Sequence, residues 1–129
     1  MRYVFCLCLI AVPALADRVP APDYFVASAF ATSTAQALAV SCSTLSIDPV
    51  AMARHTDEVL AALDADGFTQ DNLAERMTDP SEAIGLLQAA FLDRHALADG
   101  AAEDAVCAAG LREIAESTAL GGLLTEVGP

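Results

Sequence analysis

The chain contains no lysine and no tryptophan, and aromatic residues make up only 5% of it. Without lysine, Gly121-Gly122 cannot belong to a phosphate-cradling loop of the kind that ends in that residue. Arginine is scarce as well. Beyond residue 16 only Arg18, Arg54, Arg76, Arg94 and Arg112 face 18 Asp and Glu, and the whole chain carries a formal net charge of −12. Such a surface repels phosphate backbones and anionic lipid headgroups. It excludes nucleic-acid and membrane-surface binding, and leaves a basic protein as the charged partner it would attract. His-Glu-x-x-His, zinc spacings and glycine-rich nucleotide fingerprints are all missing. The reading is therefore of a non-catalytic protein without a cofactor. No run of β-branched residues alternates with period two, so no sheet is expected.

Long apolar runs are lacking too, apart from Val4 to Val12, which falls well short of the about 20 residues that span a bilayer. That run follows the positively charged Met1-Arg2-Tyr3. It ends at Pro13, and Ala14-Leu15-Ala16 offers small residues where a signal peptidase reads. Residues 1–16 thus read as a secretory signal, with no membrane insertion after its removal and a periplasmic or secreted destination. Cys6 and Cys8 lie inside the apolar run, too early for lipid attachment at the cleavage point.

What remains, Asp17 to Pro129, has the length of one domain. Alanine is its commonest residue, and an alanine-rich core buries little area per residue, so a covalent staple would help. Two cysteines remain for it, Cys42 and Cys107, 65 positions apart. In an oxidising compartment they read as one structural disulfide. A reactive or metal-binding thiol pair is the alternative, with neither histidine nor a basic cluster near either cysteine to support it.

In chain order, residues 17–22 hold two prolines and read as an extended leader, followed by a helical domain over 23–129. Asp23 caps a first helix from Tyr24 to Leu45 with Tyr24, Ala27, Ala31, Ala35, Leu38, Cys42 and Leu45 inward. Asp48-Pro49 opens a second helix that runs to Asp66 and stops at Gly67, with Met52, Ala53, Thr56, Val59, Leu60 and Leu63 inward. Thr69 caps a short third helix, Gln70 to Met77. Asp79-Pro80 opens a fourth that reaches Ala98, with Ile84, Leu87, Phe91 and Ala98 on one face and Leu86 and Leu97 off it. A fifth begins near Ala102 and turns Val106, Cys107, Gly110, Leu111 and Ile114 inward, Gly110 allowing close approach to the alanines around Cys42. The tail from Gly121 to Leu124 folds back as a turn or terminal helix. The fold class is all-α, a small bundle of about five helices with one disulfide joining the first and last long ones.

Three places invite a metal or ligand reading. His95 and Asp99 stand one helical turn apart, His55 has acidic neighbours in Asp57 and Glu58, and Asp64 to Asp71 is faintly like a calcium loop. In the last of these, Ala62 and Leu73 fall where the first ligand and the bidentate glutamate are required. Glu113 reads most simply as a solvated charge, or as the partner of an arginine on another helix.

Cys107-Ala-Ala-Gly110-Leu-Arg-Glu113-Ile114, followed by Gly121-Gly-Leu123-Leu124, resembles the C-terminal pattern of a family of small exported proteobacterial proteins catalogued as a domain of unknown function. Cys42 and Gly67 match its layout. A basic residue commonly follows the paired leucines there, where this chain has Thr125-Glu126. The resemblance implies export and the disulfide, and no activity. The expected role is binding of another envelope protein through an apolar helical face at Leu86 and Leu97. A small-ligand or metal-binding protein using His55, His95 or the Asp64–Asp71 turn is the alternative, and an inhibitor or immunity-type protein a third.

Overall fold

The computed structural model describes residues 17–128; the expected signal segment lies outside the described residues. Five α-helices run in the order α1 (Asp23–Ser41), α2 (Pro49–Ala65), α3 (Leu73–Arg76), α4 (Ser81–Arg94) and α5 (Glu103–Ala115). Two short strands, β1 (Leu45–Ile47) and β2 (Leu124–Glu126), join them, β2 following a single 3-10 turn at Gly121–Leu123. No helix among the described residues is long and apolar enough to cross a membrane.

α1 forms the spine. Its start differs from expectation: the Pro22 carbonyl accepts from Phe25 and Val26, and Asp23 is the first helical residue and makes no side-chain cap. An acid in the first turn still favours the helix dipole. Ala31, Ala35 and Leu38, with Cys42 just beyond, enter the main core, while Ala27 is exposed. The helix stops at Ser41 rather than Leu45, because Cys42 turns extended and carries the chain into β1.

That strand corrects the expectation of no sheet. β1 pairs antiparallel with β2 in the register Leu45↔Glu126, Ser46↔Thr125 and Ile47↔Leu124. Three-residue strands are too short to show a period-two pattern, and their partners lie far apart in the chain, one after α1 and the other near the C-terminus. Leu45 and Leu124 point into the core formed by α1, Phe91 of α4, Ala109 of α5, Leu120 and Leu123.

α2 begins as its sequence demands. Pro49 sits in the first turn, and Asp48 Oδ1 accepts from the amides of Val50 at 2.9 Å and Ala51 at 3.0 Å. Its buried edge is rotated by about one residue from the expected stripe. Ala51, Met52, His55, Val59 and Leu63 face inward, whereas Ala53, Thr56 and Leu60 are exposed. The rotation brings His55 Nε2 within 2.8 Å of Ser28 Oγ on α1. α3 is shorter than its signals suggested, because Thr69 and Asn72 close a turn on each other before it starts. The Thr69 amide donates to Asn72 Oδ1 at 2.7 Å, and the Asn72 amide to Thr69 Oγ1 at 3.3 Å. Beyond α3, Met77 pairs in parallel with Val19, so the leader is extended and tied down by Val19 N–H to Arg76 O and Thr78 N–H to Val19 O. Leu63, Phe68 and Met77 form a second, smaller core there with Tyr24 and Phe25.

Three helices end in the same device, in which the amide two residues past the C-cap reaches back to a carbonyl five residues earlier. After α2 the Phe68 amide donates to Leu63 O at 2.9 Å across Gly67, whose φ is +81°. After α4 the Leu97 amide donates to Leu92 O across Ala96 (φ +50°), and after α5 the Thr118 amide donates to Glu113 O across Ser117 (φ +52°). This is why α4 ends at Arg94 and not at Ala98. Alanine does not advertise a left-handed stop, so only Gly67 was legible.

A glycine also stands inside α4. A Cβ added at Gly85 would meet no atom within 4 Å, yet glycine costs a helix interior about 0.5–1 kcal/mol relative to alanine. Gly85→Ala will therefore raise stability by about that much, read as a higher urea midpoint at unchanged slope. A lower midpoint would reveal a constraint at this position that the packing does not show.

Candidate functional site

α4 is attached to the rest of the domain along one helix and at its C-terminal end. It packs substantially on α1 alone among the described elements. Its side chains divide accordingly. Phe91 is buried and Ile84 half-buried, but Leu86, Leu87 and Leu92 are 67%, 38% and 40% exposed. Ala98, expected inward, is exposed in the loop beyond the helix. Leu86 and Leu97, singled out together in the sequence, part company here. Leu86 faces solvent, while Leu97 lies past the helix end, half-buried against the main core.

Two hollows flank the helix. On one side a trough of about 440 Å³ opens between α1 and α4, bounded by the loop to α5. On the other, Phe30, Leu87, Ala90, Phe91 and Arg94 line a smaller hollow of about 260 Å³.

The C-terminal end of α4 is held by a buried carboxylate. Glu113 is 1% exposed, which rules out the solvated charge and bears out the alternative of an arginine from another helix. Its Oε1 accepts from the Arg94 guanidinium and from His95 Nε2 at 2.6 Å, and its Oε2 from the Thr118 hydroxyl. Thr118 Oγ1 in turn accepts from the Gly121 amide at 3.0 Å. One side chain thus joins α4, α5 and the turn leading into β2. The signal for it was present: Val106, Gly110 and Glu113 follow i, i+4, i+7 spacing, which puts an acid on an otherwise inward stripe.

The His95 side chain is 2% exposed and its ring lies against Phe91 at 4.6 Å between centroids. Burial, and then the charges of Arg94 and Arg112, push its pKa below the ordinary 6.5, with Glu116 opposing. The ring is therefore neutral at pH 7 and donates Nε2–H to Glu113. A histidine whose folded pKa lies below its unfolded value binds fewer protons when folded. Its contribution is complete above about pH 6.5 and is lost as the pH falls through the folded value. Urea midpoints of the wild type will fall on acidification below that pH, and His95→Gln, which keeps a donor but does not titrate, will flatten this part of the profile. Parallel profiles would assign the loss to other groups. Histidine and acid converge here with both side chains buried, and the pair acts as a strut between the end of α4 and α5.

The staple ties the end of α1 to α5. Cys42 and Cys107 are joined with Cα atoms 5.2 Å apart. Beside them Glu103 accepts from the Ser43 amide at 2.9 Å and hydroxyl at 2.6 Å, bonds that hold its carboxyl below the usual range. Gly110 does permit a close approach, though not to the alanines of α1: a Cβ there would overlap Leu45 Cδ1 on β1.

Gly121 is more tightly constrained. A Cβ on it would overlap the Glu113 carbonyl group and lie 2.7 Å from the Ile114 nitrogen. These are backbone atoms, and that carbonyl already accepts from the Thr118 amide. Gly121→Ala will cost about 2–3 kcal/mol, seen as a lower urea midpoint, because neither surface can yield without breaking the Glu113 anchor. A neutral result would show that the turn can move away from α5.

The other sites named from the sequence stand apart. His55 lies beside Ser28 on the far side of α1. His95 turns to Glu113 and away from Asp99. In the acidic turn, Asp66 accepts from the Tyr24 hydroxyl at 2.7 Å, which after desolvation is what pushes that phenol up to about 12. Asn72 and Arg76 donate to the Gly67 carbonyl. No group of three or more His, Cys, Asp or Glu among the described residues is placed to hold a metal ion.

A family model described as a family of unknown function (DUF5333) matches residues 17–125. No curated protein and no solved structure matches the chain.

Proposed function

The chain belongs to this family of unknown function, and on that premise we propose that it is an exported, non-catalytic module of the cell envelope that binds another protein through α4. The observation that carries the reading is a 14-residue helix packed substantially on a single neighbour, with Leu86, Leu87 and Leu92 left in solvent. Large apolar side chains gathered on one exposed helix are what a partner covers. The Glu113 anchor supports the same role. It gives α4 a set position before any partner arrives, which lowers the ordering cost of binding.

Export rests on three observations. Residues 1–16 have the layout of a secretory signal, the family match begins at residue 17, and the two cysteines beyond it are bridged. A non-catalytic role accords with both histidines being engaged in bonds between helices.

The test is affinity capture from a native envelope extract with the wild type, Leu86→Asp and, as a control on another surface, Val50→Asp. Val50 is exposed at the start of α2. Wild type and Val50→Asp should retain the same protein and Leu86→Asp should lose it, all three remaining folded by circular dichroism. Equal capture by all three, or none by any, would refute binding through this helix.

A further inference from the structure

The two flanks of α4 differ in chemistry, and the difference selects a kind of partner. Resting on the binding role proposed above, we propose that the trough between α1 and α4 receives a basic amphipathic segment of the partner protein. Leu38 of α1, Phe91 of α4, and Leu97 and Val106 from the loop and α5 give the trough an apolar floor. Leu92 forms one wall, and Asp99 is the only charged side chain that lines it. The hollow across α4 offers no carboxylate, and the one charge that lines it, Arg94, is already paired with Glu113. An apolar stripe edged by Lys or Arg therefore finds an anionic partner on the first flank and none on the second.

The charge of the whole chain narrows the occupant further. A second copy brings another formal −12 and is repelled, as are anionic lipids and nucleic acids. A cationic segment is drawn in at long range and retained by apolar contact once it arrives. The volume of about 440 Å³ lies within the range of small-ligand sites. The trough is nevertheless open along its length and continuous with exposed Leu92, which suits side chains delivered from a helix.

The probe is a synthetic leucine–lysine amphipathic helix, beside an analogue in which every lysine is glutamate. Both are titrated against the mature chain with its disulfide intact, following amide chemical shifts and fluorescence anisotropy. The lysine peptide should bind at least about tenfold more tightly than the glutamate peptide, with affinity falling as salt rises. Its shifts should centre on Leu92, Leu97 and Asp99. Asp99→Asn should weaken it about threefold, Leu92→Gln should weaken it further, and Leu86→Asp, outside the trough, should leave the shift pattern in place.

Equal binding of both peptides would overturn the charge assignment. Binding indifferent to Asp99→Asn and Leu92→Gln would show attraction to the acidic surface at large, and no binding would remove the trough as a site. An amphiphilic amine that displaces the lysine peptide and binds more tightly than it would reassign the trough to a small cation. If the peptide fails while Leu86→Asp still abolishes envelope capture, the binding role stands and only the trough assignment falls. Failure of both removes the role as well.

Discussion

Replacing Cys42 and Cys107 together by alanine will cost about 4 kcal/mol of folding free energy, the value the chain-entropy model assigns to closing a loop of this length. The bridge spans 65 positions, so without it the unfolded chain regains the freedom of more than half the domain. Domains of this size hold only about 5–15 kcal/mol in total, and this core has little to spare. Ala31, Ala35 and Ala109 occupy positions where larger side chains would each bury more area. The neighbouring Ser43–Glu103 bonds are exposed and cannot replace a covalent tie. Urea unfolding of the oxidised mature wild type, residues 17–129, against the double variant measures the loss, and thiol titration of the same unfolded, unreduced chain should find no free thiol. An unchanged midpoint would mean that the denatured state already holds these ends together.

Glu113→Ala is the second large effect, at about 3 kcal/mol. Removing one partner of a buried charged pair costs about 3–5 kcal/mol, mostly through the polar groups left behind. The lower end applies because Arg94 is half exposed and regains water, whereas the His95 and Thr118 donors do not. Glu113→Gln will cost only about 1 kcal/mol. Its carbonyl can still accept from His95 and Arg94, and its amide can donate to the Thr118 oxygen. The pair of variants therefore separates loss of shape and bonding from loss of charge. If alanine and glutamine cost the same, the charge itself carries the anchor. Both variants should also loosen the end of α4, measurable as faster amide exchange over Phe91 to His95 than over α2.

Much of the fold was legible because its signals are local. Asp48-Pro49 and Gly67 bound α2 as read, the helical stripe through Ala31, Ala35 and Leu38, with Cys42 just beyond, is the buried side of α1, and two cysteines past residue 16 left one pairing. The end of α4 was misplaced for a reason the sequence hides: Ala96 takes the left-handed conformation because the following amide finds a carbonyl on the preceding turn, and alanine does not signal that geometry. The small sheet was missed because β1 and β2 are too short for periodicity and are paired by the closure of the bundle. Leu97 parts from Leu86 because α4 ends at Arg94, a turn before the apolar pattern does.

Composition, caps and cysteine count thus determined the class of this protein: an acidic, alanine-rich, disulfide-stapled helical domain. Each of those properties belongs to residues near one another in sequence, or to the chain as a whole. Tertiary structure alone decided that Glu113 is a buried strut, that Gly121 must be glycine, and that α4 stands beside α1 with leucines left in solvent. Those facts depend on which distant residues meet when the bundle closes. A carboxylate on an inward stripe shows that it needs partners, but only packing decides that Arg94, His95 and Thr118 supply them.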